Sequence, residues 1–429
     1  MDTAQSLSPA LRLYHELIAT IMQLCIPDTQ YLPTSVSSHP LVMSQVCHSW
    51  RAVALTETLL WASIAIEMTA RNAISVGLLA KTWLERAGTR PLRISLSLYG
   101  DAMSSQHMDT ILTVYQFSSQ WQEAKLFLPM SALQPPPELI QHNFPLLEDL
   151  SLAPAKDYHS DDFLITTFQT APLLRKVTLT RDFEFEFYNL PFHQITRLDV
   201  NIMLTVEECL PLLSVCSALE YCSINIIALS VLVQTGTIVT LKALQHLSIY
   251  TYQDLSEFLD HLTLPALRTL EIRHDFETAN IFWPQRELEA LIARSSCSLQ
   301  RLLLSEIRMT HVDLWALLEV SPKLSELEID SHGPQPCVTD DVLRGLTPTS
   351  AMPHCLAPEL QVLKLIGDFA FNQAVLLTMI ESRWHCSQKD FREVKRLHEL
   401  SLCLMDDLSP GVLEQLQRFN AEGLILSLS

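Results

Sequence analysis

The chain has 429 residues, 48% of them hydrophobic and 18% charged, and a formal net charge of −19. That composition excludes a disordered chain. The acidity excludes an unspecific binder of nucleic acid or acidic membrane, because phosphate-rich partners demand a basic footprint. The length suits two or three ordinary domains, or one small domain and an extended array.

The first predicted element is an amphipathic helix carrying Leu13, Leu17, Ile21 and Leu24 on one stripe. A second helical stretch runs from Leu41 to Trp61. Val42, Val46, Trp50 and Val53 make one row, and Met43, Cys47, Trp50 and Ala54 a second, so the expected buried stripe includes Cys47 and leaves His48 outside. Trp61 closes the segment under the same core. These helices are expected to bury one another as a small all-α domain over residues 11–62, after a tail at 1–10. Roughly 50 residues make a marginal domain, which must lean on the chain downstream of it or on a partner.

These same residues carry a resemblance. Leu13, Glu16, Leu17, Ile21, Leu24, Cys25 and Pro27, then Ser44, Gln45, Val46, Cys47, Ser49, Trp50, Arg51, Ala54, Leu55, Leu60 and Trp61, resemble the F-box in the variant common in mushroom-forming fungi. The likeness continues through Thr82 to Leu98. It implies a substrate receptor of a cullin-based, SCF-type ubiquitin ligase, docked on a Skp-family adaptor through Leu13, Glu16, Leu17, Ile21, Val46, Cys47, Trp50 and Arg51. One position departs from the family. Proline usually follows the first leucine and sits in the adaptor contact, whereas Leu13 is followed here by Tyr14. A repeat scaffold whose degenerate F-box does not engage the ligase is therefore the alternative reading.

Beyond residue 90 one pattern recurs: apolar, two others, apolar, one other, apolar. It runs through Trp121-Ala124-Leu126, Leu147-Leu150-Leu152, Leu174-Val177-Leu179, Ile195-Leu198-Val200, Leu219-Cys222-Ile224 and Leu244-Leu247-Ile249. It continues in Leu267-Leu270-Ile272, Leu299-Leu302-Leu304, Leu324-Leu327-Ile329, Leu360-Leu363-Leu365 and Leu397-Leu400-Leu402, with a weak copy at Ala421-Leu424-Leu426. Most spacings fall near the leucine-rich-repeat range. The fold class expected is α/β: the helical domain, then a leucine-rich-repeat solenoid over 63–429, with a parallel sheet on its concave face and helices on its convex face. Insertions are expected near 331–358 and 381–396, and loops at Pro135-Pro136-Pro137 and from Pro334 to Pro358.

Helix starts lie between the triplets. Thr205 and Glu208 form a capping-box pattern, and Ser409-Pro410 offers a cap and an N1 proline. Further helices are expected over 257–262, 286–294, 310–320, 339–346 and 372–384. The charge-free run from Tyr221 to Leu241 contains too many polar groups for a membrane span and reads as buried repeat.

Alternation along each strand leaves every second side chain on the open face. Those positions are mostly polar, which checks the register. A recognition surface is expected where Tyr221, His246, Tyr250, Glu271, Arg273 and Arg301 gather, with Glu326, Glu328 and Asp330 as an acidic patch for a basic segment.

Signs of catalysis are absent from the sequence. The nine glycines are never closer than eleven residues apart, which rules out GxGxxG, the P-loop and GxSxG. CxxC and HExxH do not occur. Cys337, His354, Cys355, His385 and Cys386 gather in the C-terminal insertions at spacings that match no metal pattern, and read as scattered reduced thiols. A metal or thiol enzyme built on them is the competing class. The expectation is a non-enzymatic adaptor without cofactor. Its partners would be a Skp-family adaptor, through it a cullin, and an unknown target protein, with neither nucleic acid nor membrane. Asp2, Arg12 and Glu16 flank no apolar run long enough for a signal peptide, and ten cysteines without disulfide-rich spacing point to a cytoplasmic or nuclear protein.

Overall fold

The computed structural model describes residues 13–26, 31–35, 38–100, 103–134, 143–154, 164–180, 188–227, 238–274, 283–331, 337–349, 355–369, 371–385, 394–405 and 407–428. The Pro135 to Pro137 run, His354 and Cys386 lie outside them. The chain divides into two compact units, Met1–Ile195 and Thr196–Ser429.

The first unit opens with α1 (His15–Leu24), α2 (His39–Met43), α3 (His48–Thr56) and a 3-10 turn, Thr58–Trp61. The expected continuous helix from Leu41 is therefore broken. Ser44 Oγ donates to Leu41 O, Arg51 Nε donates to Ser44 O, and Cys47 is extended at φ −161°, capping α3. Cys47 thus starts a helix instead of lying on a buried stripe. The expected inward stripe of α1 is also corrected. Ile18 and Met22 are fully buried, while Leu17, Ile21 and Leu24 face outward. Trp61 is buried as expected: its Nε1 donates to Ala54 O at 2.8 Å and its ring meets Trp83 edge-on at 4.8 Å.

Five described strands come next in this unit: β1 (Ser63–Met68), β2 (Leu92–Leu98), β3 (Trp121–Phe127), β4 (Asp149–Leu152) and β5 (Lys176–Leu179). All pair in parallel, in chain order. The helices α4 (Ala73–Ala87) and α5 (Ser105–Tyr115) make the first crossovers, and a single turn, α6 (Met130–Leu133), lies after β3. β1 was not anticipated, although Trp61-Ile64-Ile66 has the same triplet spacing and all three residues are buried. Tyr115, Trp121, Phe144 and Phe168 form an aromatic spine through successive repeats, with centroids 5.0, 5.6 and 5.0 Å apart.

The second unit contains β6 (Arg197–Leu204), α7 (Val206–Val215), β7 (Tyr221–Ile226), β8 (Val239–Thr240), β9 (His246–Thr251), α8 (Ser256–Asp260), β10 (Leu262–Thr263) and β11 (Thr269–His274). Then come α9 (Gln285–Ser295), β12 (Arg301–Ser305), α10 (His311–Glu319), β13 (Glu326–Ser331), α11 (Asp340–Leu346), β14 (Val362–Gly367), α12 (Gln373–Trp384), β15 (Glu399–Leu404), α13 (Pro410–Ala421) and β16 (Ile425–Leu428). Among the described residues nine of these strands form one parallel sheet, again in chain order, while β8 and β10 pair separately.

The triplets explain this order. Each places its second and third apolar residues on successive inward positions of a strand, and from Leu147 to Leu402 every triplet residue is buried. One strand per repeat with parallel pairing forces a crossover over the same sheet face each time. Thr205 and Thr310 close capping boxes at α7 and α10, and Asn372 caps α12. This strand-and-crossover stack, with leucines inward, is the arrangement of leucine-rich repeats. Among the described residues no helix is long and apolar enough to cross a membrane.

Candidate functional site: a helical surface and a sheet face

In the first unit, α1 and α2 both pack on α3. Leu17, Ile21 and Leu24 succeed one another at steps of four and three, so they share one face of α1, and Tyr14 stands at its N-cap. All four are exposed, Leu17 at 51% and Leu24 at 81%. Val42 on α2 and Val46 in the turn after it are exposed as well. Of the expected adaptor-binding residues, Leu17, Ile21, Val46, Glu16 and Arg51 are therefore available to a partner, whereas Leu13, Cys47 and Trp50 are half-buried. Single exposed apolar residues are ordinary, but three on one face of a short helix, with Tyr14 at its N-cap, make a contiguous apolar patch.

The sheet face of the first unit is partly occupied by its own chain. Tyr31, which nothing in the sequence singles out, donates its hydroxyl to Glu123 Oε2 at 3.3 Å. Its ring lies 4.8 Å from Lys125 Nζ and 5.4 Å from the Arg93 guanidinium. Thr34 N donates to Ala65 O, and Ala65 N to Leu32 O, which ties this segment to β1. Burial, then the Glu123 charge, hold the Tyr31 phenol well above its ordinary pKa.

The second unit holds every expected substrate-binding residue on its sheet face. The register sets Arg197, Tyr221, His246, Thr269, Arg301 and Glu326 side by side in one row. A second row runs through Asp199, Ser223, Ser248, Glu271, Leu303, Glu328 and Lys364. Tyr250, Arg273, Ser305 and Asp330 lie on a third.

Within these rows the first three members of row one form a stack. The Arg197 guanidinium lies 3.7 Å over the Tyr221 ring, which stacks on the His246 imidazole at 4.4 Å and 17°. Arg197 Nε pairs with Asp199 at 3.0 Å, and His246 Nε2 faces Glu271 Oε1 at 3.6 Å. Ring faces are thus used within the stack, and the His246 edge is turned to Glu271. Burial lowers the His246 pKa despite the opposing pull of Glu271. Burial also raises the Tyr221 phenol. Tyr250 is separate from the stack; its hydroxyl donates to Tyr252 Oη at 3.2 Å.

Further along, Arg301 pairs with Glu326 at 3.3 Å, and Lys364 Nζ stands 3.4, 3.6 and 3.9 Å from Glu326, Glu328 and Glu399. Strand alternation puts Arg197 and Lys364 on this face without marking them as anchors, because a lone cation in a strand looks like solvated surface until its neighbours are known. Ordered ladders of this kind hold side chains in place before a partner arrives, which lowers the entropy lost on binding.

Of the C-terminal thiols and histidines, Cys337, Cys355 and His385 are among the described residues. Among the described residues no group of three His, Cys, Asp or Glu is placed to hold a metal. Cys337 is buried, and burial pushes its thiol up to about 11.

No protein-family description matches the chain, and no curated protein matches it. Among solved structures it is similar to a Bacteroides fragilis protein, at a TM-score of 0.30 and 12% identity over 75% of this chain and 72% of that one. It is also similar to TLR13 in its complex with ssRNA13, at a TM-score of 0.34 and 11% identity over 89% of this chain and 59% of that one. Neither similarity decides function. The repeat assignment rests on the parallel strands and their buried triplets.

Proposed function

We propose that the chain is a non-enzymatic adaptor: its repeat array holds a target protein, and α1 to α3 dock on a Skp-family adaptor that links it to a cullin-based ubiquitin ligase. The target binds the sheet face of the second unit. Neither nucleic acid nor membrane is a partner, and the protein works in the cytoplasm or the nucleus. The observation that supports the ligase link is the exposed patch Tyr14, Leu17, Ile21 and Leu24, continued by Val42 and Val46, in the helices that resemble an F-box. Such a molecule acts by raising the effective concentration of a target lysine near a ligase assembled elsewhere.

Co-expression with a Skp-family adaptor, followed by size-exclusion chromatography, tests this. Wild type forms a stoichiometric complex, and the double variant Leu17→Asp, Val46→Asp does not. Both side chains are exposed, so the variant stays folded.

The second reading, a repeat scaffold with a degenerate F-box, is favoured by Tyr14 at the family's proline position. Tyr14 has φ −68°, an angle proline adopts without strain, and caps α1. If wild type elutes alone while Tyr14→Pro gains the complex, the degenerate reading holds. If neither binds, the ligase link is abandoned.

A further inference from the structure

The sheet face of the second unit changes electrical character along its strands. From β6 to β12 the cation is the outer member of each pair. Arg197 is 43% exposed against 16% for Asp199, and Arg273 is 54% exposed against 13% for Glu271. Arg301 is 39% exposed against 21% for its β13 partner Glu326. From β13 to β15 carboxylates outnumber the cation: Lys364 sits among Glu326, Glu328 and Glu399, and Asp330 adds a fourth carboxylate.

Among the described residues, the face of β6 to β12 carries Arg197, Arg273 and Arg301 against Asp199 and Glu271, an excess of one positive charge. The face of β13 to β15 carries Lys364 against Glu326, Glu328, Asp330 and Glu399, an excess of three negative charges. Leu303, almost fully buried, lies on the face between Glu271 and Glu328. An apolar side chain there keeps water from the neighbouring charges and lengthens their reach.

We infer that this face binds an extended protein segment with acidic side chains at one end and lysine or arginine at the other. The segment lies across the strands, its acidic end over β9 to β12 near Tyr250 and Arg273, and its basic end over β13 to β15. This deepens the reading of the second unit as a target-binding array and rests on it. Four strand steps separate β11 from β15 in the sheet order, or about 19 Å at ~4.8 Å per step. An extended chain covers that distance in about six residues at ~3.3 Å each. The matching segment therefore has its two charge blocks roughly six residues apart. A uniformly acidic or uniformly basic segment meets repulsion at one end of the face.

Selection from a displayed library of random peptides of about 12 residues, long enough to span roughly 40 Å, tests the inference on the full chain. The expected binders carry separated acidic and basic blocks. Arg273→Glu with Arg301→Glu removes selection for the acidic block, and Glu328→Lys with Asp330→Lys removes that for the basic block. Each pair weakens an individual bipolar peptide by about tenfold or more, and added salt does the same. The neutral pairs Arg273→Gln with Arg301→Gln and Glu328→Gln with Asp330→Asn give smaller losses in the same order, and serve if a reversal variant fails to fold. Binders that are lost on Tyr250→Asp but show no charge segregation overturn the inference and leave the target-binding reading intact. No binders at all, or binders indifferent to every face variant, overturn both.

Discussion

The helices of residues 13–61 and the sheet of the second unit treat exposed side chains in opposite ways. On the sheet, many charged residues meet an opposite charge or an aromatic ring, as Arg197 meets Asp199 and Tyr221, and Arg301 and Lys364 meet Glu326. On α1, large apolar side chains face outward with nothing from the described chain over them to account for their placement; Leu17 and Leu24 stand in water while Ile18 and Met22 do the packing. The sheet face is ordered largely by contacts among its own side chains. The helical surface is left apolar and uncovered by the described residues.

Substitutions separate the two. Trp61 joins the helical segment to the repeats through its bond to Ala54 O, its edge contact with Trp83 and the Arg86 guanidinium 4.7 Å over its ring. Trp61→Ala should cost about 3–5 kcal/mol in chemical denaturation. Arg383 is wholly buried and its replacement by methionine should cost about 3 kcal/mol, since several carbonyls lose their donor. Lys364→Met, which leaves three carboxylates facing one another, should cost about 1–2 kcal/mol and lose part of that effect at high salt. Leu17→Asp should change stability by no more than about 0.5 kcal/mol, and a large loss would show that Leu17 packs inside the fold after all.

The sheet face also responds to pH. Burial, with smaller contributions from Arg301 and Arg197, holds the His246 pKa below its ordinary value against Glu271 and Asp199. The unfolded chain then takes up the proton first as the pH falls. This part of the stability is complete above about pH 6.5 and is lost progressively from there down to the folded pKa. His246→Gln should flatten the stability profile measured by denaturation as the pH falls below about 6.5, leaving the slope due to His274, whose pKa burial also lowers.

How much of this was legible in the sequence depends on the two periods involved. A strand alternates with a period of two, so a triplet such as Leu299-Leu302-Leu304 admits one register, and Arg301 had to lie on the open face. The helices were less determined. α1 is apolar on two sides, and Leu17-Ile21-Leu24 makes as good a stripe as Ile18-Met22; only the position of α3 chooses between them. The row Val42, Val46, Trp50 and Val53 keeps helical spacing straight through the turn after Met43, so the break at Ser44 to Cys47 was invisible. Side-chain partners such as the Arg197 stack or Tyr31 over Glu123 depend on which strands become neighbours and on where a loop returns, and no local pattern encodes that.

Arg383 has a consequence for the history of such a chain. From α12 its guanidinium donates to Leu346 O at the end of α11, and to Leu356 O, Ala357 O and Leu360 O on the approach to β14. The segment between α11 and β14 is thus fastened at both of its ends by one side chain, while the triplet Leu360-Leu363-Leu365 keeps its place beside Leu324-Leu327-Ile329. A repeat boundary secured in this way can gain or lose residues in between without shifting the strands beyond it. It is a point at which the array can change in length and acquire new surface while every later repeat stays in register.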